Sequence, residues 1–157
     1  LNAALRALDG RGEKTALLEA CTQKAGMPLL DWITTIHKMD NPKQNIASFA
    51  RVLLNAAEAG DAVALQELDV AASDIAVSIK ASESITNIRD VVLGGSLWKS
   101  CVYTAAVKAH LGQDWRFIIP ELPPVYGDVI TAAKIVDIEW NQNLENRFSH
   151  SFALYSR

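Results

Sequence analysis

Apolar side chains recur at helical spacing through the first half of the chain. Leu1, Ala4, Leu5 and Leu8 share one helical face, and Asp9-Gly10-Arg11-Gly12 stops that helix with a turn signal. Thr15 is placed to cap a second helix reaching Lys24, Gly26 ends it, and Pro28 stands where a first helical turn tolerates proline. Residues 28–38 read as a short helix with Leu29, Leu30, Trp32, Ile33 and Ile36 apolar, and Asn41-Pro42 breaks the pattern. The spacing of Ile46, Phe49, Val52, Leu53 and Ala56 predicts one helix over 44–59. Gly60 closes it, and Asp61 caps a long amphipathic helix over 61–82 whose stripe is Val63, Leu65, Leu68, Ala72, Ile75, Ala76 and Ile79.

The texture then changes. Residues 88–93 are short, β-branched and apolar, bounded by Gly94-Gly95, and read as a buried strand. Helical spacing returns over 97–111, 115–119 is a second strand, and the prolines of 120–124 exclude a helix there. Residues 127–138 read as a final helix, and 139–157 show no clear period. Two strands joined by a helical crossover favour parallel pairing, so the fold class is α/β and predominantly helical. A two-stranded sheet is a poor sheet by itself. Leu1 also begins inside a helical pattern without a cap. Both features lead to the expectation that this chain is a piece of a longer protein.

Composition narrows the function classes. Half of the 157 residues are hydrophobic, enough for a core, and the net charge of −3 comes with no basic stripe to meet a nucleic-acid backbone. No apolar run approaches the length of a membrane span, and no signal-peptide pattern is present, so no membrane partner is expected and the cytoplasm is the expected compartment. Two cysteines, Cys21 and Cys101, are too few for a disulfide framework.

The segment best suited to chemistry is 91–100, Val-Val-Leu-Gly-Gly-Ser-Leu-Trp-Lys-Ser, in which a strand ends, two glycines turn and a helix starts. Glycines allow a ligand to approach backbone, and free N–H groups at a helix start favour polar or anionic ligand atoms. A plain strand-to-helix turn explains the same residues. Neither a dinucleotide fingerprint nor a P-loop fits, because Ser96 stands where the former needs glycine and the latter's spacing is absent.

Four stretches in order resemble the BadF/BadG/BcrA/BcrD-type ATPase and N-acetylglucosamine kinase family of the actin-like ATPase superfamily, over roughly residues 1–138. Residues 4–12 are similar to the helix and turn that open its C-terminal domain. Residues 46–50 with 56–61 resemble its helical insertion, 93–100 its adenosine motif, and 122–127 its last typical segment. The resemblance implies the C-terminal portion of a ribonuclease-H-like, actin-like ATPase fold: one lobe with a helical part (1–83), a strand–helix–strand–helix part (84–138) and a tail (139–157). It implies an ATP-dependent sugar kinase acting on N-acetylglucosamine or a related amino sugar, with ATP and Mg²⁺ as cofactors. Gly94, Gly95 and Ser96 would contact adenosine, and Ala47 would lie against adenine. The family's phosphate loops, Mg-associated Asp and catalytic base belong to segments outside these residues, so no catalytic or metal-binding residue is assigned here and the piece alone is expected to be inactive. After Gly127 the chain departs from the family, with Asp128-Val129-Ile130 in place of small residues. A reductase-activating ATPase with a cysteine-held iron–sulfur cluster, or a non-catalytic interaction domain, are the alternatives. Apolar surface left by a cut lobe points to a homo-oligomer.

The remaining candidates have ordinary explanations. His37, His110 and His150 lack metal-type spacing and suit solvated or capping roles. Cys21 and Cys101 both fall on apolar helical faces and are expected to be buried. Trp32, Trp98, Trp115 and Tyr126 suit the core, with Trp98 also able to border a nucleotide pocket; Lys99 suits a helix surface or a phosphate; Asp128 and Glu139 form no catalytic pair.

Overall fold

A computed structural model describes residues 1–155. The described residues are predominantly helical, with a parallel two-stranded sheet. The helices are α1 (Asn2–Leu8), α2 (Ala16–Ala25), α3 (Leu29–Thr35), α4 (Pro42–Ala47), α5 (Ala50–Glu58) and α6 (Ala62–Thr86), then α7 (Cys101–Leu111), α8 (Val125–Ile135) and α9 (Gln142–Tyr155). Strands β1 (Asp90–Val92) and β2 (Arg116–Ile118) flank α7. Contacts divide the chain into two units, one of residues 1–91 with 95–117, the other of 92–94 with 118–157.

The first unit is organised around α6. Ala64, Leu68, Ala72 and Ala76 are buried at four-residue intervals along it. Small side chains at three of these positions let neighbouring backbones come close, and α7 packs there through Val107 and Leu111 together with Trp115. The buried seam includes Ala64 and leaves Leu65 and Ile75 exposed, so the apolar stripe read from the sequence was rotated slightly off the true face. Ala64 and Leu68 also belong to a core cluster with Ala3, Ala4, Leu17, Cys21, Leu29, Trp32, Ile36, Phe49 and Ala57.

Three helix junctions meet at Asp61. Its N–H donates to Ala56 O and that of Gly60 to Ala57 O, both at 3.0 Å, so α5 ends in a paired-bond cap with Gly60 at φ 86°. Asp61 then caps α6, with Oδ1 accepting from Ala64 N–H at 2.9 Å. The same carboxylate reaches the start of α2, accepting from Ala16 N–H at 2.7 Å and from the Thr15 hydroxyl at 2.8 Å. Thr15 itself accepts from Leu17 N–H, as expected of a cap. Partial burial pushes the Asp61 carboxyl up, but the N–H donors of Ala64, Ala16 and Val63 and the Thr15 hydroxyl outweigh it, so its pKa lies below the ordinary carboxylate value.

The expected single helix over 44–59 is two. At Phe49 the backbone tightens to a three-residue bond, N–H to Ile46 O at 3.1 Å, while Ser48 Oγ donates to Asn45 O. Phe49 is buried and lies against Trp32, ring centroids 4.8 Å apart. The helix 61–82 continues to Thr86 and stops at Asn87 in the left-handed region. The strands pair in parallel as expected, Arg116 N–H on Arg89 O and Leu93 N–H on Ile118 O. In the second unit, residues 139–157 contain α9, an element absent from the sequence reading. Asn141 accepts from Leu144 N–H at its start; the Phe148 ring lies 5.2 Å from that of Tyr126 and 5.9 Å from that of Phe152, and Trp140 Nε1 donates to Tyr126 Oη. Cys21 is buried as expected, whereas Cys101, the first residue of α7, is exposed. No helix among the described residues is long and apolar enough to cross a membrane.

Because Asp61 joins three helix ends, Asp61→Ala should destabilise the chain by about 2–3 kcal/mol in urea unfolding, and Asp61→Asn by less. A depressed native pKa contributes stability above the unfolded value that disappears as pH falls through the folded one. The advantage of the parent over Asp61→Asn should therefore be constant near neutrality and shrink below about pH 4.

Candidate functional site

A cleft of about 430 Å³ opens within the first unit between the α4–α5 segment and the residues that precede α7. One wall is Ala47, Ser48, Ala50, Arg51, Leu54, Asn55 and Glu58; the other is Ser96, Leu97, Lys99 and Ser100. The helix break at Phe49 shapes the first wall, because it turns Phe49 into the core and leaves Ala47 and Ser48 exposed at the cleft. Along α5, Arg51, Asn55 and Glu58 follow one another at helical spacing on one face.

The second wall differs from the expected helix start. Residues 96–99 form a short 3₁₀ segment, and α7 begins only at Cys101. Ser100 caps it, accepting from Tyr103 N–H, and its hydroxyl donates to Glu58 Oε1 at 2.8 Å. One N–H of the first turn of α7, that of Tyr103, therefore already has a side-chain partner and is not left for a ligand.

Ala47 and Ser96, two of the residues singled out in the sequence, line the same cleft. Gly95 leads into Ser96 without lining it, and Gly94 lies one residue further back along the chain. A Cβ built on either glycine meets nothing within 4 Å. The requirement at Gly95 is conformational, since its φ is 110°. Trp98 is half-buried and lies tilted against Tyr103, centroids 5.2 Å apart, rather than lining the cleft.

Sequence reasoning missed Arg51, Asn55 and Glu58. The signal available was their i, i+4, i+7 spacing on a helix just after Ala47, which the apolar period alone does not single out. Among the described residues, Arg51 and Lys99 take part in no ion pair, and Glu58 is bonded only to Ser100. The cleft thus presents two cationic side chains, one carboxylate, two small alanines and several hydroxyls, a mostly polar lining. Among the described residues, no three His, Cys, Asp or Glu side chains gather as a metal-binding group. His110 instead pairs with Asp69 at 2.8 Å.

No protein-family model matches the chain, and no curated protein matches it.

The glycine pair offers a direct check. Gly95→Ala should cost about 1–2 kcal/mol, the strain of a side chain at positive φ, while Gly94→Ala, with open space around its Cβ, should lie within about 0.5 kcal/mol of the parent. Parallel thermal unfolding of the two variants reads the difference.

Proposed function

We propose that the chain supplies the nucleotide-binding part of an ATP-dependent sugar kinase, acting in the whole protein on N-acetylglucosamine or a related amino sugar. The observation that carries this reading is the shared cleft: Ala47 and Ser96, far apart in sequence and each matched to a nucleotide-contacting stretch of the resembled family, line it together with Arg51 and Lys99. The small walls of Ala47 and Ala50 leave room for a purine, and the planar Arg51 guanidinium is suited to stack on it. Lys99 is a point charge suited to phosphate. In this reading Mg²⁺ is held by phosphate oxygens and by groups outside these residues. Catalysis would consist of positioning ATP and stabilising charge while its γ-phosphoryl passes to a sugar hydroxyl, leaving ADP.

The reductase-activator alternative is less well supported, since Cys21 sits in the core cluster and Cys101 is exposed at the first turn of α7.

Calorimetric titration tests the reading. ATP should bind, and Ala47→Trp, which places an indole in the cleft, should weaken it more than about tenfold while leaving Tm within about 2 °C. A stable Ala47→Trp variant that binds ATP as well as the parent would remove the cleft from consideration. Residues 1–157 alone should show no sugar-dependent ADP release; turnover above background would overturn the division of labour.

A further inference from the structure

Asp9 is the one aspartate or asparagine in the sequence that is followed by glycine. In such a pair the backbone nitrogen of the glycine can attack the aspartate Cγ, because the glycine has no Cβ to stand in the way. The carboxyl OH leaves with the amide proton as water, and a cyclic imide forms between Cγ and the glycine nitrogen. Water then opens the imide at either carbonyl. Opening at Cγ restores aspartate. Opening at the backbone carbonyl leaves the chain running through the side chain, as isoaspartate of unchanged mass. The sequence of steps is a net isomerisation and takes no reagent besides water.

The fold restrains this bond in two ways. At an Asp9 ψ of 4° the nitrogens of Asp9 and Gly10 eclipse one another, so Cβ is swung away from the nucleophile and the ring closes only after rotation at Asp9. The end of α1 resists that rotation. Asp9 N–H donates to Leu5 O at 3.1 Å and Gly12 N–H to Arg6 O at 2.8 Å, and a Cβ on Gly12 would come within 2.9 Å of Arg6 Cβ. The second restraint is Arg11. Its Nε and Nη2 donate to Asp9 Oδ2 at 2.9 and 2.6 Å, and its backbone N–H donates to Oδ1 at 3.1 Å, so both carboxylate oxygens are held. These hydrogen bonds from Arg11 keep the Asp9 carboxyl below the usual carboxylate range. The ionised form is a poor electrophile, since it has no OH to lose as water. Both partners of the ion pair are exposed, and contacts of that kind at a helix end open often.

We propose that Asp9–Gly10 is an isomerisation site whose rate is governed by Arg11, a positioning residue that holds the carboxylate in its unreactive state. Isoaspartate there adds one backbone carbon between α1 and Gly12 and releases the Arg6–Gly12 contact, at the end of a helix that places Ala3 and Ala4 in the core.

The full chain, Arg11→Ala and Arg11→Lys are aged at neutral pH and body temperature, both folded and in concentrated urea. Isoaspartate at position 9 is read by peptide mapping with electron-transfer fragmentation, which distinguishes the two linkages. Folded Arg11→Ala should accumulate it about threefold to fivefold faster than the folded parent, the range an exposed ion pair supports. Arg11→Lys keeps the charge but not the fork and should fall between them. In urea all three chains should isomerise alike, and faster than the folded parent. Equal rates in the folded chains overturn the proposal. So does an acceleration that persists in urea, which would belong to the neighbouring residue type and not to the folded contact. If circular dichroism shows Arg11→Ala to be unfolded, Arg11→Lys decides: a folded Lys variant that ages no faster than the parent overturns the role of Arg11. Absence of isoaspartate at position 9 even in urea removes the site itself.

Discussion

The carboxylate of Asp61 is the point from which the first unit is laid out. Helix ends expose unpaired N–H and C=O groups, and each buried junction must satisfy them. Here one residue completes the cap of α5 through its backbone, starts α6 with one carboxylate oxygen and reaches the start of α2 with the other. The directions of three helices are thereby tied to one side chain. Since α7 packs along the small-residue seam of α6, its placement follows from the same junction. An apolar contact could hold these helices together, but only directional bonds define how each one starts.

The cleft is a consequence of that layout. Glu58 stands three residues before Asp61, at the end of α5, so the cap that closes the helix also positions the carboxylate. Ser100 stands at the start of α7, and the bond between them links the two walls at one end of the opening. The other end is set by the break at Phe49, whose ring leaves the surface for the Trp32 contact. Polar satisfaction thus fixes one end of the site and apolar burial the other.

Helix existence was readable from apolar period and from caps, and Thr15, Gly26, Gly60 and Asp61 act where their residue types indicated. The parallel pairing of the strands followed from the crossover between them. What the one-dimensional pattern did not contain was tertiary. The break at Phe49 depends on Trp32 from another helix, and a regular apolar period runs straight through it. The α9 helix is polar, and its Phe148 packs on Tyr126 and Phe152 without a simple stripe. Of the candidate site, Ala47 and Ser96 were identified in advance, but the α5 face with Arg51, Asn55 and Glu58 becomes notable only once Ser100 is seen opposite it.

The glycine pair shows how a sequence signal and its physical cause can differ. Gly94-Gly95 invites the inference that a ligand needs the space of a missing Cβ, yet that space is open at both positions. Gly95 instead adopts a backbone conformation that other residues resist, and it delivers the chain from β1 into the 3₁₀ segment of Ser96–Lys99. This segment separates the glycines from α7, lets Ser100 rather than a glycine cap the helix, and brings Ser96, Leu97 and Lys99 onto the wall of the cleft. The glycine therefore matters to the site through the path it permits. The cleft is thus lined by side chains of α5 and of the 3₁₀ segment, Arg51, Glu58 and Lys99 among them, and not by the exposed backbone of the turn.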